Sequence, residues 1–325
     1  MEPTPPILFM IFKRPDTTAR VFEAIRAARP SKLFIAADAP RPNIPGEAEK
    51  CAATREAVRN IDWPCDVKTL FREQNLGCGK AVAGALEWFF SQVEEGIILE
   101  DDILPDPTFF PYCAELLERY REDSRVMMIS GYNPLTHRVG KGDYYASAST
   151  QIWGWATWRR AVLKFDFKME RYPAFRKAGR IAESMCEKRH QEHFIREFDM
   201  YATGRHNNWD HQWLFSVLDQ RGICLIPCVN LVKNIGFGPD STFAANSASY
   251  HAHRKTAPMP LPPKAPSSLE PNQKTDAAIL DKSNGLSRFH IFLSRLLAPL
   301  APQIIKVMWW FSRRFHGIAN ISQVT

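Results

Sequence analysis

Short apolar runs alternate with amphipathic stretches through the first half of the chain. ILFMIF (7–12), KLFIAAD (32–38), VKTLF (67–71), GIILED (96–101) and VMMIS (126–130) have the length and β-branched content of strands. Between them, Thr17 to Ala28, Gly79 to Gln92 and Thr108 to Arg121 place apolar residues at helical spacing. In the last of these, Phe109, Cys113, Leu116, Leu117 and Tyr120 share one face. Asp106 stands where it can cap that helix, and Pro107 and Pro111 fall in or near the first turn, where a missing N–H costs little. Strand–helix alternation predicts an α/β sandwich with a largely parallel sheet. The strands are continuously apolar rather than alternating, which fits strands covered on both faces.

The second half changes character. YYASAS (144–149) reads as another strand, followed by the tryptophan-dense QIWGWATWRR (151–160). A long polar helical stretch runs from about Ile181 to Tyr201, and HNNWDHQWLFSVLDQRG (206–222) reads as a helix closed by Gly222. GICLIPCVNLV (222–232) is a strand pair or a strand plus turn, and NIGFGPDST (234–242) is a glycine-rich loop. Residues 255–285 carry Pro258, Pro260, Pro262, Pro263, Pro266 and Pro271 with few large apolar residues, a linker composition. From Ser287 to Ile318, clustered Leu, Ile, Phe and Trp mix with Arg and Lys and are broken by Pro299 and Pro302. That pattern suits an amphipathic segment lying on an anionic membrane surface, with Trp309 and Trp310 at the interface. Docking on the body or on a partner chain is the competing reading. The expected organisation is therefore a catalytic domain over 1–254, a proline-rich linker over 255–285 and a basic tail over 286–325.

Composition narrows the class. The chain has 325 residues, 45% of them hydrophobic and 24% charged, ordinary values for a globular core. Of the net charge of +7, five basic residues lie beyond Leu286 with no acidic one, leaving the body at +2. A nucleic-acid binder would carry its charge on the folded domain, so nucleic acid is not an expected partner. Residues 1–6 are polar and proline-rich and the first apolar run is far too short for a signal or a span. A cytoplasmic protein held peripherally at the inner face of the plasma membrane is expected. Seven cysteines at irregular spacings do not form a disulfide framework, and none is spaced with a partner for zinc.

The chemistry concentrates in Glu100, Asp101 and Asp102, which emerge at the carboxyl end of an apolar strand, where open α/β sheets bind ligands. Carboxylates there suit Mg²⁺ or Mn²⁺, which share their shells with substrate phosphates and stabilise a leaving phosphate group. The plainer alternative has the acids capping the following helix and facing solvent. FKRP (12–15), AAD (36–38) and NLGCGK (75–80) put further polar groups at successive strand ends, as a nucleotide pocket requires. The chain has neither a Walker lysine loop nor a G-x-G-x-x-G fingerprint, which counts against a P-loop NTPase or a dinucleotide enzyme. FKRPDTT after the first strand is a poor match to the glycine- and arginine-rich loop of sugar-nucleotide pyrophosphorylases.

ILEDDILPDPTFFPYCAELLERYREDSRVMMISGYN, with QIWGWATWRR, WDHQW and NLVKNIGFGPDST following in order, resembles the nucleotide-sugar glycosyltransferases of the GT-A fold. It is similar to the N-acetylglucosaminyltransferase I type and to bacterial surface-polysaccharide enzymes, over roughly residues 5 to 245. The resemblance implies a Rossmann-like three-layer sandwich with a mixed, mainly parallel sheet. It also implies a metal-dependent inverting transfer from a nucleotide-diphosphate sugar, most naturally a UDP-sugar, to a glycan or lipid-linked acceptor. On it, Arg14, Asp38, Lys80, Glu100 and Asp101 would bind the nucleotide and Asp102 the metal. Gly154, Trp155, Trp209, His211, Gly236 and Gly238 would line the substrate pocket. Asp210 aligns with the catalytic base, and an inverting transfer does need a carboxylate to take the acceptor hydroxyl's proton. Trp153, Trp155 and Trp158 are expected to divide between core packing and sugar stacking. Unlike the animal enzymes, the protein is expected to have no membrane anchor or stem ahead of the domain. It also has Phe243 after Ser241-Thr242, with His251 and His253 only further on, so Asp102 is expected to be the direct protein ligand. A retaining transferase or a nucleotidyltransferase on the same fold, or an inactive carbohydrate-binding protein at the membrane, remains as the alternative.

Overall fold

The computed structural model describes residues 3–204, 207–237 and 250–286. The chain begins β1 (Ile7–Ile11), α1 (Pro15–Ala28), β2 (Lys32–Ala37), α2 (Glu47–Glu56), β3 (Asp66–Phe71), α3 (Cys78–Phe90), β4 (Glu95–Glu100). It continues β5 (Ile103–Pro105), α4 (Phe109–Arg119), β6 (Val126–Ser130), β7 (Tyr144–Ser147), β8 (Trp155–Trp158). Helices α5 (Arg159–Val162), α6 (Tyr172–Lys177), α7 (Ile181–Ser184), α8 (Lys188–Ala202) and α9 (Asp210–Asp219) follow. Then come β9 (Ile223–Pro227), β10 (Val232–Asn234), a 3₁₀ turn at Tyr250–His253, and α10 (Gln273–Asn284). Residues 1–279 form one unit; residues 280–325 form a second, of which 280–286 are described.

The sheet runs β3-β2-β1-β4-β8-β6-β9-β7, and β5 pairs with β10 in a separate antiparallel ribbon. In the main sheet only β8 and β7 run against the common direction. All five residues of β1 are buried, which explains why its sequence does not alternate. Phe9, Ile97 and Leu99 face one core with Phe22 and Ile25 of α1 and Leu116 of α4. Leu8, Met10 and Ile98 face the other with Leu86 and Phe89 of α3 and Trp213 of α9. Helices on both faces of a mainly parallel sheet give the expected three-layer sandwich.

Four segments differ from the sequence pattern. The tryptophan-dense stretch supplies β8, inserted antiparallel between β4 and β6. The predicted helix from Ile181 to Tyr201 is broken into α7 and α8, because Glu187 takes an extended backbone (φ −92°, ψ 122°). Residues 257–266, expected as linker, are tied to the body. Ala257 N–H donates to Asn230 O (3.0 Å), Met259 N–H to Thr108 Oγ1 (2.9 Å) and Lys264 N–H to Asp143 Oδ2 (2.8 Å). Met259 lies in the core. α10 then places buried Asp276 against β7, where it accepts from Ser147 Oγ (2.6 Å) and Ala148 N–H (3.1 Å). Prolines suit such a strap, since they need no acceptor for a missing N–H. The predicted membrane tail lies outside the described residues, and among those no helix is long and apolar enough to cross a membrane. All seven cysteines are free.

Burial pushes the Asp276 carboxyl up to about 6 against the hydrogen bonds from Ser147 and Ala148. A carboxyl raised on folding contributes stability that is complete below its unfolded value and is lost as pH rises through the folded one. Wild type should therefore lose about 2–3 kcal/mol relative to Asp276→Asn between pH 4 and about 6, and nothing further above. Urea unfolding of both proteins across that range checks this, and a pH-independent difference contradicts it.

Candidate functional site

Parallel pairing of β1 with β4 sets Met10 opposite Glu100, so the residues leaving β1 lie beside the acids leaving β4. Phe12 N–H donates to Asp101 Oδ2 (3.0 Å). Arg14 caps α1 ahead of Pro15, and its guanidinium forks between the two aspartates: Nη2 to Asp101 Oδ1 and Nη1 to Asp102 Oδ2 (2.8 Å). Both aspartates are buried. Ile235 N–H bonds Asp102 O (2.8 Å), which brings Gly236 over the ion pair. A Cβ on Gly236 would fall under 3 Å from both Asp102 and Arg14, so the position requires glycine.

The charges on this edge are strongly coupled. Burial, then the charges of Asp102 and Asp101, raises the Glu100 carboxyl; Arg14 opposes and Asp210 adds to the rise. Burial likewise raises Asp101 in spite of Arg14. Asp210, first residue of α9, is thus within electrostatic reach of Glu100. Burial alone would raise it, but the His211 side chain and the backbone N–H groups at the helix start hold it below its ordinary value. Asp210 Oδ1 is buried and makes no hydrogen bond; His211 Nδ1 lies 3.3 Å from it without hydrogen-bond geometry. His211 stacks on Tyr201 (centroids 4.6 Å apart, 15° between planes). Cys78, at the start of α3, is pushed up to about 12 by burial and then by Glu100, Asp210 and Asp38, against Arg14. One side chain that feels all four charges marks where the elements converge.

The neighbouring loops are pinned from below. Asp38 does not project free from β2: its carboxylate accepts Leu76 N–H (3.1 Å) and Gly77 N–H (3.0 Å), fixing the turn into α3. Asn75 Nδ2 donates to Ala39 O (2.6 Å). Beyond Asp38 these loops line an open pocket of about 710 Å³, bordered by Pro40, Pro42, Ile44, Pro45, Gln74 and Asn75, with Arg41 on its wall. Arg41 is held by Glu47, which also pairs with Lys13 (3.1 Å). Gly79 admits the chain ahead of α9 at close range: its N–H donates to Asn207 Oδ1 (3.0 Å), and a Cβ would collide with Asn208 O. Lys80 is exposed on the first turn of α3. The Asn207–Asn208 clamp and the Lys13–Glu47–Arg41 network were missed in the sequence. Only the Asn-Asn pair directly before WDH offered a signal.

The tryptophans divide clearly. Trp155 is 1% exposed, stacked on Trp209 (5.7 Å, 19°) with Trp213 tilted against it (5.2 Å, 46°), and Trp158 and Trp209 are buried as well. Trp155 and Trp209, expected to line the pocket, are packed in the core: Trp155 on β8 and Trp209 ahead of α9 join one cluster with Trp213. Gly154 packs on Leu99, Ile103 and Val232. Half-buried Trp153 stands instead at the site edge, against Tyr132 (4.7 Å), His251 (5.7 Å) and Phe237 (6.2 Å). Tyr132 OH and His251 Nδ1 are 2.5 Å apart. Gly238 lies outside the described residues.

A divalent cation fits this donor set in one way. The donors are hard oxygens, and mutual repulsion among Glu100, Asp101 and Asp102 exceeds what Arg14 relieves in Glu100. Yet among the described residues no three His, Cys, Asp or Glu side chains are placed to cage an ion. A cation here would be held by Asp102 and complete its shell with phosphate oxygens.

No protein-family model matches the chain, and no curated protein matches it significantly. Among solved structures, HddC from Yersinia pseudotuberculosis is similar at 8% identity and TM-score 0.31, over 52% of this chain and 85% of that one. The 4-diphosphocytidyl-2C-methyl-D-erythritol synthase of Anaerococcus prevotii gives 6% identity and TM-score 0.35, over 69% and 88%. A UDP-glucose pyrophosphorylase complexed with UDP-glucose gives 10% and 0.34, over 68% and 90%. Likenesses this distant carry no functional information, and the chemistry has to be read from the site.

Because Trp155 is a core ring, Trp155→Ala should cost about 3–5 kcal/mol in urea unfolding. A loss below about 1 kcal/mol would instead mark a solvent-lining ring.

Proposed function

We propose that the chain transfers a sugar, with inversion, from a nucleotide-diphosphate donor to a hydroxyl of a glycan or lipid-linked acceptor. The observation that carries this reading is Asp210: a carboxylate lowered by His211, with an unbonded buried oxygen, on the same edge as Arg14, Asp101 and Asp102. The pocket past Asp38 would take the nucleoside. Arg14, with Glu100 and Asp101, would hold the donor's nucleotide portion beside Asp102. A Mn²⁺ or Mg²⁺ bound at Asp102 would supply stabilisation of negative charge on the leaving diphosphate. Trp153 and Phe237 would offer ring faces to a sugar's C–H groups.

In the transfer, the acceptor oxygen forms a bond to the anomeric carbon as the bond from that carbon to the diphosphate oxygen breaks. The diphosphate leaves with the electron pair, and the hydroxyl proton passes to Asp210. The low value of Asp210 keeps it ionised at neutral pH, and His211 and the helix start hold it in place. Composition of the tail supports delivery to a lipid-linked acceptor at a membrane surface.

Incubation with UDP- and GDP-sugars and Mn²⁺ should release nucleoside diphosphate. Asp210→Asn should lower kcat by about 10²–10⁴-fold while calorimetric nucleotide binding is retained. Unchanged turnover in that variant would reject the base. Pyrophosphate release from nucleoside triphosphate and sugar phosphate would make the chain a nucleotidyltransferase instead.

A further inference from the structure

We infer that Arg14 is a resident counter-cation that keeps Asp102 from taking up a free divalent cation and yields it when the cation arrives with a diphosphate. The diphosphate's identity rests on the proposed function; the competition between Arg14 and a cation does not.

The guanidinium is held unequally by its two partners. Asp101 is fully engaged, one oxygen by Arg14 Nη2 and the other by Phe12 N–H, and it is 3% exposed. It is the anchor. Asp102 gives Arg14 only Oδ2, and among the described residues Oδ1 has no hydrogen bond. The Asp102 backbone is fixed by Ile235 N–H, and glycine at 236 leaves nothing between carboxylate and guanidinium. The base of the arginine is fixed too, since Thr18 N–H bonds Arg14 O (3.0 Å) and Pro15 sets the first turn of α1. Only the side chain can yield.

A bare cation approaching Asp102 meets a like charge 2.8 Å from Oδ2 and gains one or two protein oxygens. A cation carrying a diphosphate meets a different balance. Phosphate oxygens complete its shell, and they offer Nη1 a new anion of the geometry a guanidinium fork prefers. Arg14 can then turn from Asp102 to phosphate while Nη2 stays on Asp101. Cation and diphosphate binding are coupled through one side chain, and that coupling is reciprocal.

The test is Mn²⁺ alone, titrated calorimetrically and by electron paramagnetic resonance into the full chain and its Arg14→Gln and Arg14→Lys variants. Arg14→Gln should bind free Mn²⁺ about tenfold tighter than wild type, with Arg14→Lys between them. The added Asp102→Asn change should abolish the gain. In wild type, UDP should tighten Mn²⁺ binding, and Arg14→Gln should lose most of that enhancement. Should Arg14→Gln fail to fold, Arg14→Lys decides the ranking. Variants that bind free Mn²⁺ no tighter than wild type, including no binding by any of them, overturn the inference. Failure of the glycosyl-transfer reading looks different: no nucleoside diphosphate binds with Mn²⁺ present, while the ranking for Mn²⁺ alone still holds.

Discussion

Two adjacent buried aspartates repel one another unless a cation is placed between them, and here a guanidinium from a different strand end occupies that place. The arrangement depends on β1 and β4 being parallel neighbours in the register that sets Met10 opposite Glu100. A shift of one residue would carry Arg14 away from both carboxylates and turn the strand's side chains to the opposite core. The buried strands therefore do more than fill the interior. Their packing against two separate clusters fixes the register on which the ion pair depends.

Around that pair, polar groups divide into those already engaged and those with capacity left. Asp38, Asp101 and Glu47 are taken up by backbone N–H groups or by arginines, and they hold loops in place. Asp210 Oδ1 remains without a hydrogen bond. Trp155 is engaged in the core, whereas Trp153 is only half-buried. Supporting groups thus lie beneath the edge and the chemically available ones lie along it. That distribution suits a site pre-organised before its ligand arrives.

Strands β1, β2, β4, β6 and β7 and the helices α1, α3 and α4 were legible because apolar runs and helical spacing report burial directly; VKTLF also gave β3, but that strand is an exposed edge rather than covered on both faces. The acids were legible because charge at the end of such a run is costly without a purpose. The short β5 and β8, and α2 with its weakly apolar sequence EAEKCAATRE, were not, since three or four residues hold no period and α2 buries only Cys51, Thr54 and Glu47. The tryptophans could not be sorted from sequence: Trp153 and Trp155 differ only in which side of β8 and its approach they occupy. Nor could the partner of the acids be told. Arg14 is a lone arginine in a basic loop until the sheet order brings it to Asp101.

The two edges of the main sheet are protected differently. β3 is exposed along almost its whole length and carries Asp66 and Lys68, while β7 is buried, tied at its end to Asp276 of α10 and flanked at Asp143 by the strap. Charge discourages strand addition, whereas cover forbids it. A sheet that can grow at both ends can template an open fibre; one sealed at an end can at most join a second copy edge to edge and then stop. The prolines and the buried aspartate at the β7 edge thus limit how far misassembly of this fold can propagate.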